Sequence, residues 1–184
     1  MKKILIISTI LVIVFLSYSV FKENKKERLV QSQHVFLPGN IYENKIFKFS
    51  LVYPEGSRFG SANPDLGFQT RFFIPDGKKI GGDTENVGIY VKPYDGTTEL
   101  WVEKIKNSYS KNGKIDVKDY MIGGIKGYRL IYVSDYTSMP GKNSKEVSYI
   151  VANKGNIYEI NYFPLVEDHL KDIDNIVNSF KFTE

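Results

Sequence analysis

Along most of this chain hydrophobic and polar residues alternate with period two, and twice the period changes to three or four. Residues 47–53 put Phe47, Phe49, Leu51 and Tyr53 on one side and Lys48, Ser50 and Val52 on the other, the pattern of a strand with one buried face. Residues 68–74 and 87–91 read as two further strands, bounded by Pro75-Asp76-Gly77 and Pro93. Trp101, Val102, Ile105 and Tyr109 then fall at helical spacing, which predicts a helix over 97–112. Thr97 or Thr98 caps it, and Asn112-Gly113 stops it. Strands follow at 115–122 and 125–135, joined by Gly123-Gly124. Residues 147–152 and 157–163 are rich in β-branched and aromatic side chains. Between them lies Asn153-Lys154-Gly155-Asn156, where Gly155 supplies the positive φ of a tight hairpin. After Pro164 the residues Val166, Leu170, Ile173, Val177 and Phe180 form the stripe of a terminal helix.

The order is three strands, helix, four strands, helix. Short turns imply antiparallel neighbours. Ile131-Tyr132-Val133 and Ile157-Tyr158-Glu159-Ile160 are apolar on both faces, so both sides of the sheet are expected to be covered. The expected fold class is α+β, with a central antiparallel sheet between helical layers.

The N-terminal run departs from all of this. Residues 4–21, opening on Ile4 and closing on Phe21, carry no charge and are apolar on every face. As a helix they span about 27 Å at 1.5 Å per residue, close to the ~30 Å hydrocarbon core of a bilayer. Ser17-Tyr18-Ser19 is a poor cleavage site. An uncleaved transmembrane anchor is the favoured reading, and secretion after signal cleavage is the alternative. Residues 22–40 read as a polar linker ending at Pro38-Gly39-Asn40, and the globular domain as residues 41–184.

Charge follows the same division. The net +4 is accounted for within residues 1–40, where Lys2, Lys3, Lys22, Lys25, Lys26 and Arg28 face only Glu23 and Glu27. A body without excess positive charge argues against nucleic acid as a partner. The chain has no cysteine, which excludes disulfides, a thiol nucleophile, thiolate metal sites and a lipoprotein anchor.

Phe49-Ser50-Leu51-Val52-Tyr53-Pro54, the central helix after a strand, the hairpin Gly155-Asn156-Ile157-Tyr158-Glu159-Ile160, and the close Ile176-Val177-Asn178-Ser179-Phe180-Lys181-Phe182 together resemble the PsbP-like domain. The resemblance covers about residues 41–182. It implies an α/β/α sandwich with a central antiparallel sheet and no shared catalytic apparatus. The photosynthetic members of that family are soluble and carry basic binding surfaces, so the membrane segment and neutral body here are departures, and no binding residue carries over.

The sequence offers no catalytic set, cofactor motif or metal motif. His169 lies off the apolar stripe, between Asp168 and Leu170, and reads as a solvated helix residue. His34 reads as a solvated linker residue. Asp76, Asp83 and Glu85 are hard-cation ligand types, but their spacing matches no calcium loop and a solvated turn is the favoured reading. Asp168, Asp172 and Asp174 read as a helix's polar face. The expectation is therefore a single-pass module of the cell membrane. Its body lies on the outer side, binds or assembles with a protein partner, and has no catalytic role. The alternative is an extracytoplasmic hydrolase using carboxylates or an unrecognised metal site. A cluster of buried carboxylates in one cleft favours the hydrolase; an exposed aromatic patch favours the module.

Overall fold

The computed structural model describes residues 34–37, 40–60, 62, 67–75, 77, 79–80, 83–109, 115–134 and 144–184. Residues 4–21 lie outside them, and among the described residues no helix is long and apolar enough to cross a membrane. The strands are β1 (His34–Leu37), β2 (Ile41–Asn44), β3 (Phe49–Val52), β4 (Arg58–Gly60), β5 (Phe68–Phe73), β6 (Lys79–Ile80), β7 (Asp83–Thr84), β8 (Asn86–Pro93), β9 (Asp116–Ile122), β10 (Ile125–Ser134), β11 (Ser144–Asn153), β12 (Asn156–Phe163) and β13 (Lys181–Phe182). The helices are α1 (Thr98–Tyr109) and α2 (Leu170–Asn178), the second preceded by a 3-10 turn over Glu167–His169.

The central sheet has seven strands in the order β4-β5-β8-β12-β11-β10-β9, each pair antiparallel. The hairpin between β11 and β12 closes with Asn153 opposite Asn156. Lys154 and Gly155 sit between them at φ 46° and 75°, the twist that matches a two-residue hairpin. Thr97 caps α1: its Oγ1 accepts a hydrogen bond from the Leu100 N–H at 3.3 Å.

Alternation sends each strand's side chains to two different layers. Val87, Ile89, Val91, Val147, Tyr149, Val151, Tyr158, Ile160 and Tyr162 join the larger core. Leu130, Tyr132, Ile150 and Ile157 join a smaller one beneath Val102, Trp101, Ile105 and Tyr109 of α1. The second layer differs from a purely helical one. The sheet's far face is covered by α2 together with a second sheet, β1-β2-β3-β13. The strand at the start of the domain belongs to this smaller sheet. Its alternation places Phe49 and Leu51 in the core and leaves Val52 exposed, as expected. Residues 34–37, within the stretch read as linker, pair with β2. Lys181 and Phe182 leave the terminal helix and pair with Ser50 and Phe49.

The terminal stripe buries as its period predicts. Ile173, Val177 and Phe180 are at most 1% exposed. Phe180 stacks on Phe49 with ring centres 5.1 Å apart and meets Phe182 edge-on at 5.2 Å. Asp174, read as part of a polar face, is turned inward instead. It accepts hydrogen bonds from Tyr149 at 2.6 Å and Tyr120 at 3.1 Å, and Arg129 lies 3.5 Å from its other oxygen.

Candidate functional site

Helix α1 is too short to cover its side of the sheet. Twelve residues of helix run about 18 Å, whereas the ten residues of β11 run about 34 Å. The side chains facing α1 change character where the helix ends. On β11 they pass from Ala152 and Ile150 to Ser148 and Glu146; on β12 they pass from Ile157 to Glu159 and Asn161. The uncovered part is a cleft of about 360 Å³ lined by Arg71, Asn86, Tyr90, Lys92, Tyr109, Tyr132, Glu146, Glu159, Asn161 and Phe163. Strand register places these residues together. Glu159 lies opposite Tyr90, Asn161 opposite Gly88, Arg71 opposite Gly88, and Tyr132 opposite Glu146. Tyr109, near the end of α1, leans on Tyr132 with ring centres 4.6 Å apart and walls the cleft on the helix side.

The floor is a hydrogen-bonded network. Ser148, fully buried, donates to Glu159 Oε1 at 2.8 Å and accepts from Asn161 Nδ2 at 3.1 Å. Tyr132 Oη lies 3.2 Å from the same Ser148 hydroxyl. Burial raises the Glu159 carboxyl above the ordinary glutamate range; the Ser148 hydroxyl and, more weakly, Lys92 pull it back. Burial also raises the Tyr132 phenol, helped by the charges of Glu159 and Glu146. Burial raises Tyr90 too, against a hydrogen bond from Arg71. Two carboxylates and two cations thus share one wall of a rigid sheet. Such a floor presents both signs of charge to a small polar ligand, and its geometry is fixed by backbone pairing.

A second polar constellation lies on the opposite face. Glu85 follows β7, and its side chain is fully buried. Its Oε1 accepts a hydrogen bond from the Tyr162 hydroxyl and lies 2.7 Å from His169 Nδ1. Tyr162 in turn accepts from the Val166 N–H at 3.2 Å. This corrects two sequence expectations. His169 is not a solvated helix residue: its side chain is only 27% exposed and is tied to a carboxylate far away in sequence. Glu85 is not part of a solvated turn, because alternation along the β7–β8 segment turns it inward. Asp76 and the side chain of Asp83 lie outside the described residues. Among the described residues no group of three or more histidine or carboxylate side chains is placed to hold a metal.

Neither Glu146 nor Glu159 stood out as a site residue in the sequence. The available signal was the placement of polar residues at alternate positions, 146 and 148, 159 and 161, within strands otherwise apolar on both faces. Among the exposed large hydrophobic residues Phe59 is the one aromatic, at 37%, so the described surface shows the carboxylate cleft rather than an aromatic patch.

No protein-family model matches the sequence. No curated protein matches it either. Comparison with solved structures does find relatives. The solution structure of cyanobacterial PsbP (CyanoP) from Synechocystis superposes with a TM-score of 0.51 at 15% identity, over 77% of this chain and 91% of that one. The fold is PsbP-like. A second match is the crystal structure of LpqN, involved in cell envelope biogenesis of Mycobacterium tuberculosis. It gives a TM-score of 0.53 at 11% identity, over 82% of this chain and 90% of that one. At these identities the likeness concerns the fold: α+β with a central antiparallel sheet and two helices, consistent with the resemblance carried by Phe49–Pro54 and the C-terminal hairpin, with a small second sheet beside α2 in place of a purely helical layer.

Proposed function

We propose that this chain is an extracytoplasmic binding module, tethered to the membrane by residues 4–21, with its ligand site in the cleft beside α1. One observation carries the reading: Arg71, Lys92, Glu146 and Glu159 converge on a concave, sheet-built wall that α1 leaves uncovered. Charged groups of both signs on a half-buried sheet face cost desolvation energy. A fold that needed only a core would carry apolar residues there. The uncharged N-terminal run of membrane-spanning length supports the tether. The involvement of LpqN in cell envelope biogenesis agrees with a body on the outer side.

Two measurements test this. Protease added to intact spheroplasts should digest the body of a chain that pellets whole with membranes; a protected body places it in the cytoplasm, and a shortened soluble form shows a cleaved signal. A photo-crosslinking residue in place of Tyr90, in the full-length chain in its membrane, should give an adduct that the same residue in place of exposed Lys104 does not. Equal yields from the two positions overturn the cleft as the binding site.

A second reading is favoured by the carboxylates gathered in the cleft, the feature expected of a hydrolase; Arg71 and Lys92 beside them are what set binding ahead of it. A carboxyl raised by burial, with a second carboxylate lining the same cleft, is an arrangement that suits a general acid with a charged companion. On this reading the cleft is the active site of a hydrolase. Turnover of chromogenic esters, glycosides or amides that is abolished by Glu159→Gln would put the enzyme ahead of the binding module.

A further inference from the structure

The charges of the cleft are sorted by strand. The cations stand on β5 and β8 (Arg71, Lys92), the carboxylates on β12 and β11 (Glu159, Glu146). With neighbouring strands about 4.8 Å apart, the cleft runs from a positive side to a negative side over a few strand spacings. We propose that it receives a small zwitterion of amino-acid to dipeptide size, its ammonium on Glu159 and Glu146 and its carboxylate on Arg71 and Lys92. This rests on reading the cleft as the ligand site.

Glu159, on the negative side, has acceptor capacity to spare. Among the described residues Glu159 takes one hydrogen bond, from Ser148 at 2.8 Å, and a carboxylate offers about four acceptor positions. Buried polar groups are normally satisfied, so a desolvated carboxylate with one donor is matched by an ammonium, which brings three. Ser148 and Asn161 fix its orientation from below, so the acceptor is held in place before a ligand arrives. The positive side has a guanidinium, whose planar fork suits a carboxylate, braced by Tyr90. A lone cation would not use Arg71 and Lys92, and a lone anion would meet Glu146 and Glu159. The volume of about 360 Å³ lies at the small end of ligand pockets.

The test is calorimetric titration of the full-length chain in mild detergent with glycylglycine, methylammonium, acetate and calcium. Glycylglycine should bind at least about tenfold more tightly than either half, and Glu159→Gln should weaken it by about tenfold or more. Glu159→Gln that leaves glycylglycine affinity unchanged overturns the ammonium assignment. Calcium, methylammonium or acetate binding as tightly as glycylglycine overturns the zwitterion and leaves the cleft as a site. No probe binding, with a Tyr90 crosslink still formed, does the same. No probe binding and no Tyr90 crosslink overturns both.

Discussion

Replacing His169 by alanine should destabilise the protein by about 1.5–3 kcal/mol, the range for a hydrogen bond to a charged group. The figure comes from the surroundings of Glu85. That carboxylate has no exposed surface, and one of its oxygens is shared by Tyr162 and by His169 Nδ1 at 2.7 Å. Stripping a buried charge of its partner costs about 3–5 kcal/mol in the extreme. The loss here should fall below that, because the Tyr162 hydroxyl stays and the 27% exposed histidine site admits water. Urea unfolding of the full-length chain in mild detergent, followed by circular dichroism, measures it as a shift in midpoint at unchanged slope. A double-mutant cycle with Glu85→Gln should show coupling of at least about 0.5 kcal/mol, since the two groups touch. A change below about 0.5 kcal/mol, the scatter of ordinary surface substitutions, would refute the lock and restore the solvated histidine.

Three further outcomes follow from the same structure. Phe180→Ala should cost about 3–5 kcal/mol in the same assay, because the ring is packed between Phe49, Tyr158 and Phe182; a loss under about 1 kcal/mol would mean α2 does not dock through it. Burial and then the Asp174 charge push the Tyr120 phenol up to about 12. The folded state therefore holds that proton more tightly than the unfolded chain, and the stability it contributes is full below pH ~10 and lost as pH rises through about 12. Tyr120→Phe should flatten that alkaline loss in a pH series of melting temperatures. The Glu159 carboxyl is likewise raised, so its contribution is present below the unfolded pKa of about 4.3 and lost as pH rises through the folded value. Glu159→Gln should melt higher than the parent at neutral pH, and the gap should close on acidification.

The fold was legible where one physical rule acts alone. Period-two alternation places Phe49 and Leu51 inward, and the 3.6 period places Ile173, Val177 and Phe180 inward; burial of apolar surface decides both. The assignment of strands to sheets was not legible. Residues 49–52 alternate as any half-buried strand does, and nothing local shows that they pair with Ile41–Asn44 and Lys181–Phe182 rather than with the central sheet. The helical period places Phe180 within the terminal helix. Ser179 ends it instead, its Oγ accepting from the Val52 N–H at 2.8 Å and so handing the chain to β3. His169 was misread for a related reason. Lying off the apolar stripe of a helix says which way a side chain points, but not that a carboxylate from a distant strand end waits there.

Glu85 and Glu159 show how far the residue type alone can mislead about role. Both are glutamates drawn out of water, Glu85 between β7 and β8 and Glu159 in the middle of β12, and both bear a desolvation cost. Glu85 is closed off: a tyrosine and a histidine from the β12–α2 segment converge on one oxygen, and the arrangement fastens that segment to the start of β8. Its oxygen is satisfied within the fold, so its removal should register in stability. Glu159 borders a cleft and takes its hydrogen bond from a serine hydroxyl. Its charge is offset only in part, by the Ser148 hydroxyl and more weakly by Lys92, so its removal should raise stability and register in binding. Sites that weaken the fold they belong to are where function is expected. By that measure the face α1 leaves uncovered is the one that suits the proposed ligand site, and His169 belongs to the scaffold.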